Sequence, residues 1–195
     1  MRVIGGSRRS LPLRTVPGLS TRPTTDRIKE TLFNILQPDI PGTRFLDLFA
    51  GSGAIGIEAL SRGADFAVFI EKDARAAACV RENLQFTKFT EQSRLLKCDV
   101  LSGLTALEAE SAEPFDIVFM DPPYGQGDAE AVLQKLSSSP LIREDTLIVI
   151  EESIRFDPQS LENLPFTVVR DKKYKTNRHL FLKHSYMDIS RTESD

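Results

Sequence analysis

Cysteine is scarce in this sequence: Cys79 and Cys98 are the only two in 195 residues. They supply neither a disulfide framework nor a zinc cluster, and they suit a reducing cytosol. No apolar run approaches the ~20 residues that a membrane span needs. The opening MRVIGGSRRS carries basic residues without the apolar core of a secretory signal. A cytoplasmic protein with no membrane partner is therefore expected. A large excess of charge of one sign is missing too: 25 basic against 28 acidic side chains leave a net charge of −3. Taken whole, that total argues mildly against a nucleic-acid partner. The 41% hydrophobic and 27% charged content excludes a disordered chain, a collagen and a coiled coil. The length implies one domain with a short appendage, able to bury roughly 70% of its unfolded surface without staples.

The charge is unevenly spread. Residues 1–30 hold seven basic and two acidic side chains, and residues 168–184 hold six and one. Each segment is thus +5, the body between them is −11, and the last eleven residues are −2. Two basic ends flanking an acidic body suit a polyanion bound locally at the ends. The plainer reading is that these side chains are solvated at frayed ends.

Gly, Pro and Arg dominate residues 1–20, where short alternating stretches suggest a small hairpin or arm. Pro23 opens a helical pattern with Ile28, Leu32, Ile35 and Leu36 on one face. Thr24 or Thr25 can cap it, and Asp26 favours its positive end. From residue 43, apolar runs alternate with helical stretches. Strands are expected at 44–48, 66–70, 95–98, 115–120 and 146–150. Helices are expected at 54–62, 74–86, 104–110 and 129–136. This alternation predicts a parallel sheet covered on both faces. Two further runs, 166–170 and 179–182, lie on either side of Asn177 and predict a terminal antiparallel hairpin. The boundaries read as a basic arm over 1–22, a catalytic domain over 23–184 and a polar tail over 185–195.

A doubly wound sheet binds its ligand at the carboxyl ends of its strands. After the first strand comes Gly51-x-Gly53-x-x-Gly56, a glycine-rich turn that lets a ligand approach the backbone. Asp47, just before it, suits a cation such as an amino-acid ammonium and would be a poor neighbour for a pyrophosphate. Glu71, at the end of the second strand, suits two ribose hydroxyls. Asp99, after the third, suits an adenine amino group or the N-cap of the next helix. After the fourth stands Asp121-Pro122-Pro123-Tyr124, the most specific feature of the chain. The two prolines stiffen the segment and remove two donors. A carboxylate, a fixed carbonyl and an aromatic ring then suit a planar base carrying an exocyclic amine.

Together these residues resemble the class I S-adenosylmethionine-dependent methyltransferases. Asp47 to Gly56 looks like their cofactor loop, and Asp121 to Tyr124 like the signature of nucleic-acid amino-methyltransferases. Arg2-Val3-Ile4-Gly5-Gly6 and the stretch from Arg22 through Asp26 to Asn34 resemble the RsmD family of bacterial rRNA (guanine-N2)-methyltransferases. The chain departs from that pattern at Arg8-Arg9-Ser10 and at Lys175, both in segments expected to face RNA.

The resemblance implies a Rossmann-like α/β fold, mostly parallel, with a C-terminal antiparallel hairpin and a short N-terminal extension. It implies S-adenosylmethionine as cofactor, held by Asp47, Phe49, Ala50, Gly51, Ser52, Gly53, Glu71, Lys72, Cys98, Asp99 and Val100. Asp121, Pro122, Pro123 and Tyr124 would act on a flipped guanine of 16S ribosomal RNA by in-line methyl transfer. Arg2, Arg8, Arg9, Arg22, Lys172 and Lys173 would hold the RNA backbone. No metal is expected, and the implied state is a monomer acting on a small-subunit assembly particle or its RNA.

Three other readings stand beside this one. An amino-methyltransferase of adenine or cytosine would share the same tetrapeptide. An NAD-dependent oxidoreductase would share the glycine loop and Glu71 but leaves Asp47 and the Asp-Pro-Pro-Tyr turn unexplained. A non-catalytic RNA-binding protein on the same fold would be expected to have lost the cofactor loop or Asp121, and neither is lost.

Overall fold

Alternation within β1 (Arg44–Leu48) sets the plan of the molecule. Leu46 and Leu48 face one apolar layer, and Phe45 faces the other, so this strand must be covered on both sides. The same holds for β2 (Phe66–Ile70), β4 (Ile117–Met120) and β5 (Leu147–Ser153). These strands, with β3 (Ser93–Leu96), β6 (Phe166–Lys173) and β7 (Asn177–His184), form one sheet in the order β3-β2-β1-β4-β5-β7-β6. The computed structural model that places them describes residues 1–16 and 26–185. Strands β1 to β5 pair in parallel, and β7 runs antiparallel to both β5 and β6. The expected doubly wound sheet and terminal hairpin are therefore present.

Helices α1 (Asp26–Leu36), α2 (Ala54–Ser61) and α3 (Ala74–Thr87) cover one face through Phe33, Ile57, Val80 and their neighbours. Helices α4 (Val100–Ala109) and α5 (Asp128–Leu136) cover the other through Leu104, Leu107, Val132 and Leu133. The direction of winding reverses between β1 and β4, which opens the crevice where such sheets bind ligands.

Some boundaries differ from expectation. Strand β3 lies two residues earlier than 95–98. Helix α4 starts at Val100 rather than near 104, because the Asp99 carboxylate caps it by accepting from the Ser102 N–H at 3.0 Å. Asn177 is the first residue of β7 rather than part of the connection. In α1 Leu32 and Leu36 are buried as expected, but Lys29 and Phe33 complete the buried face, while Ile28 and Ile35 are half-buried. Pro23, Thr24, Thr25, Arg22 and the tail from Tyr186 lie outside the described residues.

The N-terminal residues form a hairpin, but not a free arm. Val3 donates to the Leu11 carbonyl at 2.9 Å and Leu13 to the Met1 carbonyl at 3.0 Å. The turn at Gly6 has φ +75°, and a Cβ there would lie 1.7 Å from the Ser61 carbonyl oxygen, so only glycine fits against the end of α2. The buried Glu58 carboxylate of α2 accepts from the N–H groups of Ile4 and Gly5, both at 2.8 Å, and from Arg62 Nε at 2.8 Å. The Lys29 ammonium, itself fully buried, lies 3.2 Å from Glu58 and donates to the Arg2 carbonyl. Lys29 is therefore an internal fastener, not one of the surface charges expected from the basic N-terminal segment. Arg178 is likewise buried, paired with Asp171 and donating to the Phe156 carbonyl at 2.6 Å.

Candidate active site

The strand ends of β1, β2 and β4 and the start of α4 border one cavity of about 820 Å³. Phe49, Gly51, Glu71, Lys72, Cys98, Asp99 and Val100 line it, as do Asp121, Pro122, Pro123 and Tyr124. The structure thus brings together most residues of the expected cofactor set and all four of the tetrapeptide. The volume falls in the range of small-molecule sites, roughly 300–1,000 Å³.

The loop after β1 is stiffened by carboxylates. Gly51 and Gly53 take φ of +57° and +76°, which L side chains rarely adopt. Glu71 accepts from the Gly51 N–H and the Asp73 N–H, both at 2.8 Å. Its carboxylate is thereby locked at the rim with lone pairs left for further donors. Asp73 in turn caps α3, accepting from the Arg75 and Ala76 N–H groups at 2.9 Å.

Asp47 lies beneath the loop and is not part of the cavity wall. It is 1% exposed and accepts from the Gly56 N–H at 2.9 Å. A side chain at position 56 would strike the Phe69 ring at 2.4 Å, so Gly56 serves the packing of α2 on β2. Burial pushes the Asp47 carboxyl up to about 8, the nearby Glu71 charge adds to this, and the Gly56 bond opposes it. Ala50, Ser52 and Gly53 also sit behind the wall; the Ser52 carbonyl is bound by Asn83 Nδ2 at 2.9 Å.

Asp121 follows β4 on the same sheet face as Asp47. Burial and then the charges of Glu151, Asp47 and Glu152 push its carboxyl well above the usual carboxylate range. Tyr124 is 40% exposed at the cavity mouth.

Sequence reasoning missed the wall behind Asp121. Glu151, near the end of β5, lines the cavity and is 4% exposed. Its Oε1 accepts from Asn177 Nδ2 at 2.6 Å, and its Oε2 lies 3.0 Å from His179 Nε2. Tyr174 Oη lies 3.1 Å from His179 Nδ1. With its hydrogen on Nε2, the imidazole donates to Glu151 and accepts from Tyr174. The only signal in the sequence was two consecutive acids in an otherwise apolar run.

Of the residues expected at RNA, Arg9 is exposed, Lys172 is partly exposed and Lys173 lies 3.8 Å from Asp171. Arg2 pairs with Asp26 at 3.0 Å. Arg8 donates to the Thr87 carbonyl at 2.8 Å and stacks over the Phe89 ring at 5.3 Å, so it helps fasten the hairpin. Arg22 lies outside the described residues. Among the described residues there is no cluster of acids, histidines and cysteines fit to hold a metal ion, and no helix long and apolar enough to cross a membrane.

The fold and this cavity are those of a Rossmann-like methyltransferase. The model of the family "Conserved hypothetical protein 95" matches residues 1–183, and the chain belongs to that family, the RsmD family. It is 40% identical over 156 residues to ribosomal RNA small subunit methyltransferase D of Escherichia coli, covering 79% of this chain and 75% of that protein. The protein of the same name from Haemophilus influenzae is 39% identical over 153 residues, covering 77% and 78%. The solved structure of yhhF from Escherichia coli superposes with a TM-score of 0.79 at 36% identity, over 94% of this chain and 97% of that one.

Proposed function

We propose that this protein transfers the methyl group of S-adenosylmethionine to the exocyclic N2 amine of a guanine in small-subunit ribosomal RNA. The observation that carries the reading is that Asp121-Pro122-Pro123-Tyr124 and the Glu71–Gly51 shelf open on a single cavity. The named relatives act on small-subunit ribosomal RNA and are 39–40% identical to this chain over the 153 to 156 residues they align with it.

The residues fit the cofactor. Glu71 offers a fixed carboxylate to a ribose diol, while Phe49, Val100 and Leu101 offer apolar walls to a flat heterocycle. Asp47, buried under the loop, can offer negative charge to a cation that displaces its proton. Bound there, S-adenosylmethionine supplies a methyl group already activated on a sulfonium, so the chain needs no nucleophile of its own.

The protein's task is to aim the amine. A guanine amine is a poor nucleophile because its lone pair is delocalised into the ring. Asp121 and the Pro122 carbonyl accept its two N–H bonds and turn the lone pair toward the methyl group. Such orientation can supply ~7–11 kcal/mol of the barrier. Tyr124 stacks on the extruded base and offsets ~1–3 kcal/mol of its lost stacking. The raised affinity of Asp121 for protons suits it to take the proton that the amine sheds after methyl transfer. Residues 23–184 would form the catalytic domain, with the basic segments at either end along the RNA backbone.

The test is to incubate the protein with labelled S-adenosylmethionine and small subunits, or their naked RNA, from an undermodified strain, and map the label. Methyl on one guanine N2 is expected. Asp121→Ala should abolish turnover while equilibrium dialysis still detects S-adenosylmethionine binding. Label on an adenine or cytosine amine, or binding of NAD in its place, would overturn the reading.

A further inference from the structure

The parallel register of β4 and β5 pairs Met120 with Ile150. Asp121 directly follows β4 and Glu151 directly follows Ile150 within β5, and the two carboxyls are close enough for the charge of Glu151 to act on Asp121. Both line the cavity. Glu151 is held in place from below: Asn177 Nδ2 binds one oxygen at 2.6 Å and His179 Nε2 meets the other at 3.0 Å. Tyr174 steadies His179 in turn. This is a built arrangement, with two carboxylates presented at neighbouring positions and the second fixed by an Asn–His–Tyr support drawn from the last hairpin.

Two adjacent acceptors match only certain base edges. Guanine carries two donors next to each other, the N2 amine and the N1–H. Adenine and cytosine carry an amine next to a ring nitrogen that is itself an acceptor. A second carboxylate beside the one that binds the amine therefore welcomes guanine and repels the other two amino bases. A carboxylate oxygen already holding one hydrogen bond retains capacity for another.

We infer that Glu151 is the specificity-determining residue of the site, reading guanine by accepting its N1–H while Asp121 accepts the adjacent N2–H. The inference rests on the proposed guanine-N2 activity and deepens it. It also accounts for the electrostatics. Two buried carboxylates side by side repel, and the charge of Glu151 helps to push the Asp121 carboxyl up. A base that brings two donors relieves that repulsion, whereas one bringing a donor and an acceptor leaves Glu151 facing a lone pair.

The test uses 2-aminopurine, which keeps the reacting amine but has an acceptor at N1. Subunits or RNA fragments are prepared with either guanine or 2-aminopurine at the mapped target. The wild-type protein should prefer guanine in kcat/KM by about ten- to hundredfold, the worth of one hydrogen bond to a charged group. Glu151→Gln offers an amide N–H to N1 and should narrow the preference to within about threefold or reverse it, whatever its overall rate. Its melting temperature and its affinity for S-adenosylmethionine by equilibrium dialysis check that fold and cofactor site persist.

An unchanged guanine preference in a folded Glu151→Gln protein would overturn the inference and leave Glu151 as a support only. If that variant does not fold, the wild-type comparison still decides: equal methylation of both bases would overturn it. Methylation of guanine N2 with no discrimination defeats only the role of Glu151. Methylation of an adenine or cytosine defeats the function itself, and this inference with it.

Discussion

Asn83 joins the glycine-rich loop after β1 to the N-terminal segment. Its Nδ2 donates to the Ser52 carbonyl at 2.9 Å and to the Arg14 carbonyl at 3.0 Å, while its Oδ1 accepts from the Arg14 N–H at 2.8 Å. The residue is 1% exposed, so water cannot replace these bonds cheaply. Asn83→Ala should cost about 1–3 kcal/mol in urea denaturation, the range for a buried group left unpaired. It should also weaken S-adenosylmethionine binding, because the Ser52 segment loses its anchor. Unchanged affinity by equilibrium dialysis would show that the loop holds itself.

Lys29 and Glu58 form a buried ion pair from which the hairpin hangs. Removing Lys29 leaves Arg62 as the cation paired with Glu58 in the interior, and the loss of a buried ionic partner costs ~3–5 kcal/mol. Lys29→Ala should lose that much stability. Adding Glu58→Gln should deepen the loss, because the largely buried Arg62 then loses the carboxylate it is paired with. A Lys29→Ala protein as stable as wild type would show that Glu58 is satisfied by Arg62 and the Ile4 and Gly5 amides alone.

Asp47 sets a pH dependence whose sign is opposite to the usual carboxylate. Its ordinary value is 3.8, and burial raises it to about 8 in the folded protein. Between those values the folded state holds a proton that the unfolded state has lost, so stability falls as pH rises through that window. Urea midpoints of the cofactor-free protein should drop from pH 5 to pH 8, and Asp47→Asn should remove much of that slope. Asp121 and Glu152, both shifted in the same direction by burial, add to it. A cationic ligand near Asp47 should expel its proton, so the enthalpy of S-adenosylmethionine binding at pH 7 should vary with the ionisation enthalpy of the buffer. Identical enthalpies in phosphate and Tris would contradict this.

Arg9 and Arg8 are neighbours with different duties. Arg9 is exposed, while Arg8 is bound to the Thr87 carbonyl and stacked on Phe89. Arg9→Gln should weaken RNA binding and reduce the slope of log K against log salt by about one, the mark of a single phosphate contact, with no loss of stability. Arg8→Gln should lower the melting temperature as well. An unchanged salt slope in Arg9→Gln would leave that side chain simply solvated.

What could be read from the chain was what lies close together along it. Asp47 to Gly56 and Asp121 to Tyr124 are contiguous, and the apolar runs of β1, β2 and β4 announce strands covered on both faces. The support behind Asp121 was not legible, because Glu151, Asn177 and His179 meet only once β7 pairs with β5. Nothing local marks Lys29 as buried either, since its partner Glu58 is a full helix and strand away in sequence. Both lysines and arginines read as surface charge until a distant carboxylate is found for them, as Asp171 is for Arg178. Asp99 reads as cofactor ligand or helix cap, and it caps α4 while also lining the cavity.

The antiparallel course of β7 has a consequence for how the protein is made on the ribosome. Strand β5 has β4 on one side, and its other edge stays bare until residues 177–184 have emerged. Those same residues bring the Asn and His that steady Glu151. A nascent chain can therefore pair β1, β2 and β3 early, from residues 44–96, but the wall that carries Glu151 is supported only once β7 has paired with β5. Covering that edge of the sheet and fixing the Glu151 carboxylate are one event.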